Sequence, residues 1–277
     1  MLFCSTELAR RIERAECGLI EDGTAAIALR VGRGATFTRA VGGGLAAFSG
    51  ADSPLTKVLG LGFEELEWAE IERIEAEFAA RGASVQVELS SLGEPGIAER
   101  FTRRGYALVG FEDVLGRALD PIESWSARAG VVVARSGDEE LATWVDVVVA
   151  GFAAPDVQGV AAPESFARES LERVIRDMAG MRAGVRYLAR RAGEPAGGAS
   201  MHVVDGIAQL CGAATLPAQR RRGVQGALLE HRLEEAARQG CDLAVVTTLP
   251  GSRSKENVQK QGFELLYTRA ILRLGRA

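Results

Sequence analysis

The chain has 277 residues, enough for two domains of ordinary size, and 47% hydrophobic with 25% charged residues describes a globular protein with a sizeable core. A net charge of −4 argues against general nucleic-acid binding, and no apolar run approaches the ~20 residues of a membrane-spanning helix. The four cysteines (Cys4, Cys17, Cys211, Cys241) are scattered and free thiols are expected; with His202 and His231 as the two histidines, neither beside a cysteine, no metal site is expected. The start, MLFCSTELARRIERAE, carries no apolar signal core, so a cytoplasmic location is expected.

The spacing predicts a helix over Ser5–Leu19, capped by Ser5 or Thr6, then strands at Ala25–Val31, Thr36–Ala40 and Leu45–Ser49. Gly42-Gly43-Gly44 reads as a turn between short strands. Lys57–Phe63 leads into an acidic helix from about Glu64 to Arg81, followed by a strand at Val85–Leu89 and a helix at Pro95–Arg104. A strand pair is expected from Gly105-Tyr106 to Leu119. Gly60-x-Gly62 invites a dinucleotide reading, but Glu65 stands where a third glycine belongs. Glu64, Glu65 and Glu67 in a first helical turn would repel a phosphate, so this junction reads as structural.

Asp120–Arg128, with Pro121 and Trp125, is the expected linker between domains at 1–120 and 126–277. Beyond it come a strand at Val131–Arg135, helices at Asp138–Gly151 and Pro163–Met178, and strands at Val185–Ala192 and Ala196–Val204. Asp205-Gly206 marks a hairpin into Ile207. The strand Ile207–Leu216 stops at Pro217, and helical spacing resumes at Val224, Leu228, Leu229 and Leu233. A strand at Leu243–Thr248, a helix near Ser254–Gln261 and paired strands from Phe263 to Leu274 complete the order.

The junction Gln219–Ala227 concentrates the chemistry. A helix starting there presents unpaired amides and the positive end of its dipole, and three arginines and two glycines surround it. Exposed cations at a helix N-terminus cost roughly 0.3–1 kcal/mol each, so a solvated turn made for stability would carry Asp, Ser or Thr instead. An anion site, best filled by a diphosphate, explains these residue types.

This segment resembles the acyl-CoA-binding motif of the GNAT superfamily of N-acyltransferases, Gln/Arg-x-x-Gly-x-Gly/Ala. Arg220 and Gly223 fall on its first two specified positions; Gln225 departs from the third, with Gly226 following. The order of elements from Ala129 to Leu274 is similar to that of the whole GNAT fold. Arg103–Val109 also resembles Lys260–Leu266, each a helix end, a glycine, an aromatic and a strand. The resemblance therefore implies an α/β (α+β, mixed-sheet) protein of two GNAT-like domains, the C-terminal one complete and the N-terminal one lacking the initial strand and the phosphate-binding loop.

It also implies acetyl-CoA as acyl donor. The site would comprise Ala214, Thr215 and Leu216 along the pantetheine, amides and side chains of Arg221, Arg222, Gly223, Val224, Gln225, Gly226 and Ala227 at the phosphates, and Asn257 as an amide contact. Gly212 would mark the bulge that opens the strand. The family's proton donor to the thiolate is often a Tyr where this chain has Val258; Tyr267 is a weak substitute, with Ser252 and Ser254 as others. No acidic residue occurs from Ile207 to Ala218 to serve as base; Asp242 and His202 are the nearest alternatives, and Cys211 reads as a buried small side chain. The acceptor pocket would draw on Trp144, Phe152 and Phe166, with Asp156 and Glu164 as ammonium partners. The implied reaction is acetylation of a small-molecule primary amine by direct attack in a ternary complex. Alternatives are a peptide or protein N-acetyltransferase and a non-catalytic CoA-binding sensor or scaffold. The first domain is expected either to bury a face of the second or to form a homodimer.

Overall fold

The computed structural model describes residues 2–32, 34–120, 130–154, 158–160 and 167–275. The expected linker and the boundary between 1–120 and 126–277 fall outside these residues, Asp120 apart.

The chain opens with a 26-residue helix, α1 (Thr6–Val31), whose N-cap Ser5 accepts the Leu8 N–H at 3.2 Å. The strand expected at Ala25–Val31 is instead the last part of this helix. Alanines favour helix there, and Gly23, Thr24, Ala26 and Ile27 continue its buried stripe. Gly23, which reads as a breaker in the sequence, allows close packing: a Cβ there would lie 2.8 Å from Leu55 Cδ1.

The hairpin β1 (Phe37–Val41) and β2 (Gly44–Phe48) follows, then β3 (Lys57–Leu61). The acidic helix, α2 (Trp68–Ala80), starts later than expected, with Glu67 as its N-cap. Leu66 before the cap and Ile71 in the first turn share one buried cluster and staple the helix start there. Glu64 and Glu65 therefore lie in the loop ahead of it. Next come β4 (Gln86–Ser90), α3 (Ile97–Arg103) and β5 (Tyr106–Ala118). The second half runs β6 (Val132–Arg135), α4 (Leu141–Phe152), α5 (Arg168–Met178), β7 (Gly184–Arg191), β8 (Glu194–Val204), β9 (Ile207–Thr215), α6 (Val224–Arg238), β10 (Leu243–Thr248), α7 (Arg253–Gln259) and β11 (Glu264–Leu274). Pro163–Phe166, expected in the second of its helices, lie outside the described residues.

All strands join one mixed sheet in the order β1-β2-β3-β4-β11-β5-β10-β9-β8-β7-β6. The strand pairs expected at 105–119 and 263–274 are single long strands, β5 and β11. Each is long because successive parts meet different neighbours: β5 lies against β11 through Tyr106–Gly116 and against β10 through Asp113–Ala118. The final strand of each half thus pairs with the penultimate strand of the other, β5 with β10 and β11 with β4.

The β5–β11 pairing has a local twofold character. Glu264 pairs with Gly116, and the counterpart pairing, Arg273 with Ala107, is also present. Leu266 on β11 and Val109 on β5 are each left as a bulge, and these are equivalent positions of the sequence repeat. Faces of the sheet are accordingly shared. Leu115 of β5 packs with α6 and α7 residues, and Leu272 of β11 packs with α2 and α3 residues. On the opposite face α1 covers the seam, with Ala9, Ile12 and Ala15 against Val114, Val245 and Tyr267.

Candidate active site

Two features meet at the C-terminal ends of β9 and β10. These strands pair in parallel only from Leu243↔Ile207 to Val245↔Gln209. Beyond that point β9 stays with β8 through a bulge: Ser200 pairs with Cys211 and Gly198 with Ala214, so Gly212 and Ala213 face the single residue Ala199. Gly212 takes φ 61°, a conformation that favours glycine. The bend leaves a slot between Ala213–Thr215 and Val246–Thr248.

The second feature is the start of α6. Arg221 (φ 60°) and Gly223 (φ 80°) turn the chain into the helix, and buried Val224 and Leu228 pin its first turn to the core. The first helical bond runs from Ala227 N–H to Gly223 O at 3.0 Å, and no side chain caps the amides before it. Arg221, Arg222 and Gly223 are exposed. Uncapped amides, a positive dipole end and two solvent-facing guanidinium groups form an anion cradle. Arg220 faces elsewhere: it donates to Ala154 O and to Gly151 O (3.4 Å) and holds the carbonyl end of α4, where a cation is favourable.

On the α1 face beside the slot lies a set of buried charges from both halves. Glu13 of α1 accepts hydrogen bonds from Tyr267 Oη and Arg269 Nε, each 2.7 Å. Arg269, 1% exposed, also approaches Glu16 at 3.6 Å, Glu112 at 4.0 Å and Thr247 Oγ1 at 3.5 Å. Further along, Lys57 Nζ donates to Glu88 at 2.5 Å. Burial and the neighbouring Glu88 carboxylate push the Glu112 carboxyl up to about 7, against the opposing pull of Lys57 and Arg269.

Residues 155–263 match the acetyltransferase (GNAT) family model. The match falls within the second half of the chain. Among solved structures, a GCN5-related N-acetyltransferase from Kribbella flavida superposes with a TM-score of 0.69 at 20% identity, covering 98% of this chain and 96% of its own. A tandem GNAT protein from the clavulanic acid biosynthesis pathway gives a TM-score of 0.62 at 17% identity, covering 92% and 88%. A functionally unknown conserved protein from Staphylococcus epidermidis gives 0.57 at 11% identity, covering 76% and 80%. At these identities the likeness is one of fold, and the chain as a whole shares the two-domain GNAT architecture. No curated protein matches the sequence.

Within this GNAT frame the expected site residues divide. Ala214 and Thr215 end β9 beside the slot with Leu216 next, and Arg221 to Gly226 surround the open helix start, whereas Ala227 is buried and its amide is already bonded to Gly223 O. Gln225 and Asn257, both expected at the donor, bond to each other: Asn257 Nδ2 donates to Gln225 Oε1 at 2.7 Å, tying α7 to the start of α6. Ser252 caps α7 by accepting the Lys255 N–H at 3.2 Å, and Ser254 is exposed on its first turn. Val258 is core. Tyr267 is 4% exposed and its hydroxyl donates to Glu13; burial and that carboxylate raise its pKa well above the usual phenol range.

Asp242 stands at the start of β10, away from the slot, and pairs with Arg11. His202 is buried, 3.3 Å from Asp22, and burial lowers its pKa against the pull of that carboxylate. Burial raises the Cys211 thiol, which sits 3.3 Å from Ser200 Oγ. Trp144 is core, donating Nε1–H to Ala199 O at 3.2 Å, while Phe152 is exposed at the end of α4. Asp156, Glu164 and Phe166 lie outside the described residues. Among the described residues no group of three or more His, Cys, Asp or Glu is arranged to hold a metal ion, and no helix is long and apolar enough to cross a membrane.

Sequence reasoning missed Arg232, Glu13, Glu112 and Arg269. Arg232 is 3% exposed and donates to Leu228 O, Ser200 O and Cys211 O at 3.1, 3.0 and 3.4 Å, so it braces the β9 bulge from the α6 side. Burial lowers its pKa to about 10. The signal was present: Arg232 falls four residues after Leu228 on the buried line of α6. Arg269 likewise keeps the inward phase of Tyr267 and Ile271 along β11, a phase that a polar residue has reason to occupy only if it is paired.

Proposed function

We propose that this protein is an acetyl-CoA-dependent N-acetyltransferase that acetylates a primary amine of a small molecule by direct attack in a ternary complex. In this reading residues 126–277 form the catalytic domain, and residues 1–120 are a copy without a phosphate-binding loop. The observation that carries it is the uncapped start of α6, with Gly223 in the left-handed region and Arg221 and Arg222 exposed beside it, directly after the slot between β9 and β10. The diphosphate of the donor would accept the amides of Gly223 to Gly226. The pantetheine would pair with Ala214–Leu216, and Asn257 with Gln225 would border it.

Calorimetric titration with acetyl-CoA, desulfo-CoA and ATP tests the donor site. Micromolar binding of both CoA ligands with ATP much weaker is expected; no binding of either removes the reading. A primary-amine panel then tests transfer by release of free thiol.

One observation favours a second reading, a CoA-binding sensor without turnover: Val258 is packed into the core where many relatives would carry the proton-donating Tyr. CoA binding with no thiol release across the panel would decide for it.

A further inference from the structure

The transfer reading leaves one chemical role unfilled. An ammonium acceptor must lose a proton before it attacks, and the second half carries no carboxylate along β9 or on the slot end of β10. The sheet order supplies one from the other half. β5 lies beside β10 with Val114 opposite Thr247 and Asp113 opposite Thr248. Asp113 faces α7 and is held by Lys255 Nζ at 2.8 Å and Thr268 Oγ1 at 3.0 Å. Glu112 has the opposite phase and faces α1, level with Arg269 across the β5–β11 pair.

We propose that Glu112, carried on the crossing strand of the first half, is the general base of the second half's site.

Three observations support this. Arg269 Nη1 reaches both Thr247 Oγ1 (3.5 Å) at the slot and Glu112 Oε2 (4.0 Å), so the carboxylate lies beside the diverging end of β10. Its side chain is 25% exposed, whereas Glu13 and Glu88 are closed off at 1%, so an acceptor has access to Glu112 and not to them. Finally, the cluster is under-bonded. Glu13 Oε2, Glu88 Oε2 and Arg269 Nη2 are buried without a hydrogen-bond partner. Four carboxylates (Glu13 and Glu16 from α1, Glu88 from β4, Glu112 from β5) face two cations (Lys57 from β3, Arg269 from β11). That excess of negative charge suits a cationic amine.

The anion cradle lies on the α6 side of the sheet and Glu112 on the α1 side, so donor and acceptor would meet through the slot. The step balances without a further reagent. The ammonium gives one proton to the Glu112 carboxylate. The neutral nitrogen forms the C–N bond as the C–S bond breaks, and its second proton goes to the departing sulfur. Glu112 returns its proton to solvent. With its carboxyl pushed up to about 7, Glu112 is about half ionised at neutral pH and basic enough to take the proton.

The inference rests on the transfer reading, and E112Q, close in shape, tests it separately. With the best amine of the panel, E112Q should lose about 100-fold or more in kcat. The rise of kcat/KM as pH passes about 7 should disappear with it. Desulfo-CoA affinity should stay unchanged, and a cationic amine titrated onto the desulfo-CoA-saturated protein should bind at least tenfold more weakly. Unchanged turnover and pH profile in E112Q overturns the assignment alone, as does loss of the same pH limb in E16Q but not in E112Q. No turnover by the unmutated protein, with CoA still bound, overturns the transfer reading and the base with it.

Discussion

The junctions after β3 and after β9 occupy equivalent places in the two halves, yet they are built for opposite ends. After β3 the strand stays paired with β4 to Leu61↔Leu89, and Glu94 N–H donating to Gly62 O at 2.7 Å closes the pair beyond it. The helix that follows is stapled by Leu66 and Ile71 and preceded by carboxylates, and the open depression of about 770 Å³ there is lined by Glu64, Glu65, Glu67, Glu94 and Arg100. The carboxylates among them suit a helix N-terminus. Neither helix start has a side-chain cap, but after β9 the strand leaves its neighbour and arginines stand where they oppose the dipole. The difference teaches that the charges at the first junction favour the helix they precede, whereas those at the second oppose it, as the proposed anion site requires.

The largest expected effect comes from the seam both junctions share. Arg269→Ala removes the cation that Glu13 and Glu16 face in the interior, and should destabilise the protein by about 3–5 kcal/mol. Because β5 and β11 each pair with the opposite half, a denaturant titration should show both halves lost in a single transition. Two separate transitions would mean that the exchange does not couple them.

Gly223→Glu comes next. It puts a like charge and a Cβ in the cradle at a left-handed position, and should weaken acetyl-CoA at least about 100-fold while circular dichroism stays native. Unchanged affinity in a folded variant would remove the donor site from this junction.

Arg221→Ala and Arg222→Ala sharpen the contrast by their signs. Each should weaken CoA by about 1 kcal/mol, less at high salt, yet leave stability equal or raised by up to about 0.5 kcal/mol, because an exposed cation leaves a helix N-terminus. Calorimetry and thermal melts read the two quantities independently. The smallest effect is expected from Glu65→Arg, which should create no CoA affinity in the first half, since a zipped β3–β4 pair offers no slot beside the charge.

Much of the fold was legible because it rests on local period. The apolar run of β9, the Asp205-Gly206 turn and the stripe of α6 each lie within one short stretch. The repeat at Gly105 and Gly262 was legible too, and it marks the two strands that later proved equivalent. The errors sit where the deciding contact is distant. Ala25–Val31 reads as a strand by its apolar run, but Leu45, Leu55, Leu59 and Val174 lie against the end of α1 and favour a helix there. The two terminal strands read as pairs because a long strand has no local signal for a partner in the other half.

The site divides in the same way. Arginine and glycine ahead of an apolar stripe are a local statement about charge and backbone freedom, so the proposal of an anion site at this junction was legible in the sequence alone. The carboxylate beside the slot was not. Glu112, Arg269 and Glu13 are separated along the chain and have no shared spacing; the exchange of β5 and β11 brings them together under α1. Local sequence sets propensity, period and charge within a few residues, whereas the pairing of strands from different halves is decided by the burial and hydrogen bonding of the whole sheet.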